Sequence, residues 1–156
     1  MIELKDVSFT YSGGKEDAGV KHISLSVKKG EVVLVCGRSG CGKTTLTRLV
    51  NGLIPHYYEG TLEGSVRAAG KSVPDTELYD MAETVGSVFQ NPRSQFFNVD
   101  TTSEIAFGCE NLGMPEADIR ERMDRAVEAL SLEPLLGRSI FELSGGEKQK
   151  LSLIHI

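Results

Sequence analysis

Alternating apolar and polar residues predict two strands near the start of the chain. Residues 2–9 alternate with one step lost between Leu4 and Val7, which indicates a half-buried strand with a slip in its middle. Residues 23–27 alternate without interruption, so we expect a second strand with one solvent-facing side. The polar, glycine-containing stretch over 12–19 is predicted to connect the two strands.

Three later segments also have the character of strands. Residues 32–36 form a short apolar run that is rich in β-branched residues and ends at a glycine, a pattern typical of a central strand buried on both faces. Residues 85–89 form a similar run that leads to Gln90, so a further buried strand is predicted there. Leu62 to Ala68 are predicted to form an edge strand.

Helical spacing replaces the strand pattern in two segments. The first helix is expected over 43–51, with apolar residues at 46, 49 and 50 on one face and Gly52 as its stop. The second is expected over 115–130, where Pro115 suits the first turn and apolar residues recur beneath a charged face, namely Ile119, Met123, Val127 and Leu130. The chain is therefore predicted to have a mixed α/β core up to about Gln90 and a mainly helical segment beyond it.

Composition and charge restrict the class of protein. The 156 residues carry 17 Lys and Arg against 22 Asp and Glu, and the net charge of −5 disfavours nucleic acid or an anionic membrane as a partner. No apolar stretch approaches the ~18–20 residues that span a bilayer, and the N-terminus lacks the pattern of a secretory signal. Three cysteines without a C-x-x-C pair suggest neither a disulfide framework nor a zinc site. We expect a soluble, cytoplasmic domain.

Residues 37–44 match the phosphate-loop pattern G-x-x-x-x-G-K-[ST] without a gap. The glycines allow backbone N–H groups to turn inward around phosphate oxygens, Lys43 supplies a cation for the β- and γ-phosphates, and the Thr44 hydroxyl can ligate Mg²⁺. The alternative is a glycine-rich turn with a solvated lysine, which the predicted strand before and helix after the loop disfavour. We expect ATP to contact the loop and the next residue: Gly37, Arg38, Ser39, Gly40, Cys41, Gly42, Lys43, Thr44 and Thr45.

Cys41 has two interpretations. It lies inside this loop near a predicted helix N-terminus, which favours a thiolate, and alkylation there would then block nucleotide binding. The alternative is a small filler at a variable position of the loop.

A second glycine motif occupies residues 143–150, in the sequence Leu-Ser-Gly-Gly-Glu-Lys-Gln-Lys. Ser144 is a good helix N-cap, and Glu147 three residues later completes the pattern of a capping box. By itself this motif predicts only the start of a helix.

Together, the phosphate loop and this motif resemble the ATP-binding subunits of ABC transporters, whose signature is L-S-G-G-Q or a close variant. Glu147 stands where glutamine is common, and the resemblance runs from Ile2 to about Lys150. It implies an α/β fold of the P-loop NTPase type, an ABC ATPase core with an antiparallel β subdomain and a helical subdomain. In that family two ATPase domains meet head to tail, and the signature of one contacts ATP held by the other. The resemblance assigns that contact in trans to Ser144, Gly145, Gly146 and Glu147.

Two further positions match the same family. Tyr11, 26 residues before Gly37, resembles the aromatic residue that stacks on adenine, while its alternative is a strand-end tyrosine packed on the sheet edge. Gln90 resembles the Q-loop glutamine, which ligates Mg²⁺ and reports to the membrane partner, while its alternative is an amide that caps a strand. The resemblance thus implies ATP and Mg²⁺ as cofactors, with Thr44 and Gln90 as the Mg²⁺ ligands.

Residues 88–97 and 106–113 narrow the resemblance to the energy-coupling-factor branch, whose ATPases drive the uptake of vitamins and of cobalt or nickel ions. Phe96 and Phe97 could equally be core residues of the helical part. This branch implies a peripheral location on the cytoplasmic face of the cell membrane. The implied partners are a second ABC ATPase subunit in a homodimer or heterodimer, a transmembrane coupling subunit and a substrate-binding membrane subunit, without nucleic acid.

A soluble ABC-type ATPase that acts on DNA or ribosomes is the alternative function. The DNA-associated members insert long coiled coils between phosphate loop and signature, whereas here 107 residues without heptads separate Gly37 from Ser144. Translation-factor members carry two such domains in one chain and remain an open alternative.

Hydrolysis by this family needs carboxylates that follow the signature helix, the Walker B aspartate and a catalytic glutamate. The sequence contains no Asp-Glu pair, and Ile156 is the sixth residue after Lys150. We therefore expect no catalytic residue before Ile156, no ATP turnover, and a C-terminal part of the core that is missing. His22, His56 and His155 are interpreted as surface or packing residues.

These expectations divide the chain into three parts. Residues 1–90 are predicted to form the N-terminal part of the ATPase core with its β subdomain. Residues 91–150 are predicted to hold the Q-loop and a helical subdomain that ends in the signature motif. Residues 151–156 are predicted to be an atypical tail that results from a truncated or misjoined reading frame.

Overall fold

The computed structural model describes residues 1–13, 18–91 and 94–155, which fall into two compact units, Met1–Gly86 and Ser87–Ile156. Residues 14–17 of the predicted connection, residues 92–93 of the segment after Gln90, and Ile156 lie outside the described residues. None of the helices described is both long enough and apolar enough to cross a membrane.

The first unit contains a four-stranded antiparallel sheet in the order β2-β1-β3-β4. Strand β1 spans Ile2–Tyr11, β2 spans Gly19–Val27, β3 spans Gly60–Ala68 and β4 spans Lys71–Ser72. The strands predicted over 2–9 and 23–27 are therefore confirmed. The segment predicted as an edge strand is part of β3, which instead lies between β1 and β4.

The predicted slip in the first strand is confirmed as a break in the pairing of β1. The register with β2 shifts between Leu4 and Val7, and Asp6 between them has a φ of 47°, in the left-handed region. This extra residue turns Val7 back to the buried face, so Leu4, Val7 and Phe9 all enter one core. The slip in the hydrophobic pattern therefore has a geometric cause.

Three helices pack with this sheet in the first unit: α1 over Lys43–Val50, α2 over Leu53–His56 and α3 over Leu78–Ala82. Helix α1 begins and ends within one residue of the prediction, and Gly52 follows it with a φ of 81°. The core of the unit is a single apolar cluster of ten buried residues, Leu4, Val7, Phe9, Val20, Leu49, Ile54, Val66, Ala68, Val73 and Met81.

The second unit is helical. Helix α4 spans Thr101–Asn111, α5 spans Glu116–Leu130 and α6 spans Gly145–Ser152, and short 3₁₀ turns lie at 133–135, 140–142 and 153–155. The predicted α5 is confirmed with Pro115 as its N-cap, whereas no pattern predicted α4. The core of this unit consists of Ile105, Val127, Leu132, Leu135, Ile140, Leu143 and Leu151.

Both predicted two-sided strands are wrong. Residues 31–40 form no strand and are exposed throughout, with Val32 98% and Leu34 85% exposed. Residues 85–89 also form no strand, and Val88 and Phe89 are about half exposed. A strand needs a hydrogen-bonded neighbour. In the described part of the chain every strand belongs to the sheet of β1–β4, and that sheet includes neither run.

Candidate nucleotide-binding site

The phosphate loop leads directly into helix α1, which begins at Lys43. Gly40 and Gly42 have φ values of 81° and 94°, in the region that favours glycine. A Cβ atom on Gly42 would lie 2.7 Å from Cγ1 of Val20, so β2 packs closely against the end of the loop. Glycine at position 42 is therefore required both by its backbone angles and by its neighbour.

The Lys43 ammonium group folds back over the loop. It donates hydrogen bonds to the backbone carbonyls of Gly37 at 2.8 Å and Arg38 at 2.7 Å, and its Nζ lies 3.7 Å from Sγ of Cys41. The cation is therefore held above the loop backbone, where Arg38, Ser39, Gly40 and Cys41 are exposed. A positive charge at this place, beside the N-terminal end of α1, favours an anion.

Cys41 packs inside its own loop. A Cβ atom on Gly37 would lie 2.6 Å from Cys41 Sγ, so the thiol contacts the loop backbone while the residue stays exposed. Thr44 is exposed in the first turn of α1, and Thr45 beside it is buried, 7% exposed. Of the residues predicted to contact ATP here, those at 37–41 and Thr44 are therefore exposed, whereas Thr45 is buried.

Tyr11 lies at the end of β1 beside α1. Its hydroxyl is 3.1 Å from Oγ1 of Thr45 and accepts a hydrogen bond from Nη1 of Arg48 at 3.1 Å. Its ring makes edge-to-face contacts with Phe9, at 4.8 Å between centroids, and with Tyr58, at 6.0 Å. The predicted adenine-stacking residue is thus fixed against the helix that follows the phosphate loop.

Gln90 is exposed and lies in a bend. The sequence placed it at the end of a buried strand, and this placement is wrong because residues 86–90 form no strand. The fold around it is instead organised by Gln95, which is 6% exposed, accepts the backbone N–H of Phe89 at 2.9 Å and donates to the Ser87 carbonyl at 3.1 Å.

The second glycine motif begins helix α6, as predicted. The Ser144 hydroxyl accepts the backbone N–H of Glu147 at 3.3 Å, and the Glu147 carboxylate accepts the backbone N–H of Ser144 at 2.7 Å. This reciprocal pair is the predicted capping box. Gly145 and Gly146 are exposed in the first turn, with no atom within 4 Å of an added Cβ.

The charge of Glu147 is stabilised by its surroundings. The hydrogen bonds to the side chain and then the backbone of Ser144 lower the pKa of Glu147, and Arg138, 3.3 Å from its carboxylate, adds to this effect. The turn over 144–147, called the signature turn below, therefore carries a negative charge at a helix N-terminus.

Sequence reasoning missed several residues that hold these elements in place. Arg48 and Tyr58 contact Tyr11, and Arg138 contacts Glu147. Glu104 of α4 is fully buried and accepts backbone N–H groups from Phe97 and Asn98. The alternative interpretation of Phe97 as a core residue is wrong, since it is 73% exposed and stacks on Phe107 at 4.8 Å. Asp100 is a sequence signal that could have predicted the start of α4, since its side chain caps this helix by accepting the Ser103 N–H at 2.9 Å.

Comparison with protein families identifies the context of these motifs. The family model for ABC transporters matches residues 20–156. A predicted ABC transporter ATP-binding protein of Treponema denticola is 51% identical over 156 residues, which is all of this chain and 32% of the relative. A similarly described protein of Caldanaerobacter subterraneus subsp. tengcongensis is 41% identical over 97% of the chain and 27% of its own length. The chain therefore spans about a third or less of the length of these relatives.

Two solved structures share the fold. The cbiO1 protein of Clostridium perfringens, part of the ABC transporter complex cbiONQ, aligns with a TM-score of 0.83 and 28% identity over 99% of this chain and 59% of that protein. The ATP-binding cassette MJ0796, solved as a dimer bound to ADP and Pi, aligns with a TM-score of 0.79 and 25% identity over 99% of this chain and 68% of that protein. The predicted α/β fold with an antiparallel sheet and helices is confirmed as that of ABC ATPases.

Proposed function

The chain belongs to the ABC transporter family, and we propose that it binds MgATP as part of the ATP-binding component of a transporter. The observation that carries this proposal is the phosphate loop. Its lysine is held over the loop by the carbonyls of Gly37 and Arg38, at the N-terminus of α1. Triphosphate oxygens suit this place, because the lysine and the backbone N–H groups there all favour negative charge.

Three further residues are assigned to the remaining parts of MgATP. Thr44 offers a hydroxyl next to Lys43, the type of ligand that Mg²⁺ takes together with phosphate oxygens. The family resemblance assigns the second ligand to Gln90, whose amide oxygen is a hard donor. Tyr11, at the end of β1, is assigned as the residue that stacks on adenine. Mg²⁺ supplies charge neutralisation at the phosphates, and the chain's own residues hold and orient the nucleotide.

The signature turn at Ser144 is proposed to contact ATP that a second ABC ATPase subunit holds. Its exposed glycines present backbone N–H groups at the start of α6, and these donors favour an anion although the Glu147 carboxylate lies in the same turn. The dimeric form of MJ0796 with ADP and Pi supports a pair of ATPase subunits, and the head-to-tail arrangement of that pair is what the family resemblance implies. Homodimers and heterodimers are both compatible with this assignment.

The transporter is proposed to be an importer of the energy-coupling-factor type for a vitamin or a metal ion. The support is the sequence pattern over 88–97 and 106–113 and the likeness to cbiO1, a part of the cbiONQ complex. Its partners would be a transmembrane coupling subunit and a substrate-binding membrane subunit, and the chain would then lie at the cytoplasmic face of the membrane.

We also propose that these 156 residues bind ATP without hydrolysing it. The sequence contains no Asp-Glu pair to hold Mg²⁺ and activate the attacking water. Phosphate release by the pure chain above a no-enzyme blank would contradict this part of the proposal.

Calorimetric titration with MgATP tests the proposed binding. Lys43→Met should lower the affinity about 10- to 100-fold, because a charged hydrogen-bond donor to phosphate contributes about 1.5–3 kcal/mol. Lys71→Met is the matched control, since Lys71 also donates to a backbone carbonyl, that of Asp80 at 2.9 Å, but lies outside the loop. Equal affinities for Lys43→Met and Lys71→Met would refute the assignment of the phosphate loop.

The proposed contact in trans needs a separate measurement. Gly145→Asp adds a side chain in open space, so the fold tolerates it, but its charge would repel the phosphates of ATP on the partner. Sedimentation with MgATP should show dimers of the wild type and monomers of this variant, with similar ATP affinity in both. Gly108→Asp on α4, also in open space, serves as the control. An ATP-dependent dimer of Gly145→Asp would show that the signature has another role.

A further inference from the structure

Arg48 connects the helix after the phosphate loop to two aromatic residues. It lies in the last turn of α1 and donates from Nη1 to the Tyr11 hydroxyl at 3.1 Å. Its guanidinium carbon lies 3.9 Å from the centroid of the Tyr58 ring, in a cation–π contact. One face of the guanidinium is therefore occupied by Tyr58 while its edge holds Tyr11.

The Tyr11 hydroxyl is fixed from a second point on the same helix. Oγ1 of Thr45 lies 3.1 Å from it, and Thr45 is only 7% exposed. Thr45 and Arg48 are one turn apart, so both lie on the side of α1 that faces the end of β1. Because Lys43 begins this helix, the position of the tyrosine ring is tied to the position of the phosphate loop.

The ring itself is held by edge contacts. Phe9 and Tyr58 meet it with interplanar angles of 84° and 89°. Tyr58 in turn meets the exposed ring of Tyr57, at 5.0 Å between centroids. Edge contacts fix the orientation of a ring, and the hydroxyl contacts to α1 fix its distance from the loop.

We propose that Arg48 is a positioning residue for nucleotide-base recognition: through the Tyr11 hydroxyl and the Tyr58 ring it sets the tyrosine at the distance from the phosphate loop that a nucleoside triphosphate requires. This inference rests on the proposed binding of MgATP. It predicts that Arg48 contributes to the binding affinity for ligands that carry a nucleotide base. The affinity for ligands that consist of phosphates alone should not depend on Arg48.

Two ligands separate these contributions. Titration with MgATP reports on base and phosphates, and titration with magnesium tripolyphosphate reports on the phosphate loop alone. Arg48→Met keeps most of the side-chain volume and removes the planar cation. It should weaken MgATP binding about 5-fold, part of what base stacking on an aromatic side chain contributes, and change tripolyphosphate binding less than about 2-fold.

Two further variants keep this result interpretable. Arg48→Lys retains the charge without the planar stacking group and should give an intermediate loss for MgATP. Tyr11→Phe keeps the ring without the hydroxyl, so adding Arg48→Met to it should have a much smaller effect than in the wild type. Tripolyphosphate binding serves in every variant as the check that the loop is folded.

The outcomes distinguish this inference from the function on which it rests. If Arg48→Met weakens both ligands equally, leaves MgATP binding unchanged, or acts with full strength in Tyr11→Phe, the positioning role is overturned while ATP binding stands. If the wild-type chain binds neither ligand, the proposed function and this inference both fail.

Discussion

Ser144 and Glu147 satisfy each other's backbone N–H groups at the start of α6, at 3.3 and 2.7 Å. The first turn of a helix leaves N–H groups without intrahelical partners, and this exchange satisfies two of them. The two exposed glycines between these residues keep their N–H groups at the surface of the turn. The capping box therefore holds the two ends of this turn together, while the glycine N–H groups in its middle stay accessible to a ligand.

Replacement of the capping serine should destabilise the second unit. Ser144→Ala removes the acceptor for the Glu147 N–H and should lower the free energy of unfolding by about 1 kcal/mol. Urea unfolding followed by circular dichroism measures this change. Ser144→Asp, which also accepts from that N–H, should stay close to the wild type, and an equal loss in both variants would show that the loss does not come from the missing acceptor.

The carboxylate of Glu147 should make stability depend on pH in the acid range. Since hydrogen bonds to Ser144 lower its pKa in the folded state, the stability it contributes is complete above the pKa of an unfolded glutamate, about 4.3. That contribution is lost as the pH falls through the lower, folded pKa. Glu147→Gln should therefore lose less stability on acidification than the wild type does.

Unfolding in urea at a series of pH values from about 7 to 3 checks this prediction. Arg138→Met removes only the weaker influence on the carboxylate and should change the pH dependence in the same direction by a smaller amount. Parallel curves for Glu147→Gln and the wild type would mean that the glutamate is equally acidic when unfolded.

The sequence predicted local elements well because their causes are local. The bulge at Asp6, the start of α1 at Lys43 and the cap at Ser144 each depend on residues within a few positions. The strands predicted over 32–36 and 85–89 failed because an apolar run indicates a need for burial, and only a distant partner can supply it. The pattern within an apolar run does not show which distant segment would pair with it.

In the candidate site, too, the local features could be predicted and the long-range contacts could not. The loop over 37–44 was predicted from its spacing, because each glycine and the lysine act within one turn of chain. Of the two elements expected beside it, the helix is present and the strand is not. The Tyr11–Arg48 contact joins residues 37 positions apart, and Tyr58 adds a third segment. Such contacts depend on how the sheet and α1 pack, so the residues that surround a recognised motif were not predicted.

Loss of the buried carboxylate of Glu104 should be among the most damaging single changes in the second unit. Its side chain is fully buried and accepts the N–H groups of Phe97 at 3.0 Å and Asn98 at 2.8 Å. Glu104→Ala leaves these donors without their acceptor and should cost about 2–4 kcal/mol in the free energy of unfolding. Glu104→Gln keeps a carbonyl acceptor and should cost about 1 kcal/mol.

Thermal and urea unfolding of these variants, compared with Glu110→Ala, provide the test. Glu110 lies on the same helix and is exposed, so its replacement should change stability by less than about 0.5 kcal/mol. If Glu104→Ala is as stable as Glu110→Ala, the segment at Phe97 and Asn98 does not depend on this carboxylate.

Alanine substitutions at two glycines of the phosphate loop allow the stability cost of backbone strain to be measured apart from the cost of a steric clash. Both Gly40 and Gly42 have positive φ, so alanine at either position should cost about 1–2 kcal/mol from the left-handed conformation. A Cβ at Gly40 meets no atom within 4 Å, whereas one at Gly42 lies 2.7 Å from Val20 Cγ1. Gly42→Ala should therefore cost about 1–3 kcal/mol more than Gly40→Ala, the range for overpacking.

A double-mutant cycle tests whether that excess comes from Val20. The single change Val20→Ala creates space in the core beside β2, and in that background Gly42→Ala should cost no more than Gly40→Ala does. Urea unfolding gives the four free energies, and MgATP titration shows whether the loop regains its affinity in the double variant. Additive costs would place the excess in the loop backbone itself, and the close approach of Val20 would then not be the reason that position 42 requires glycine.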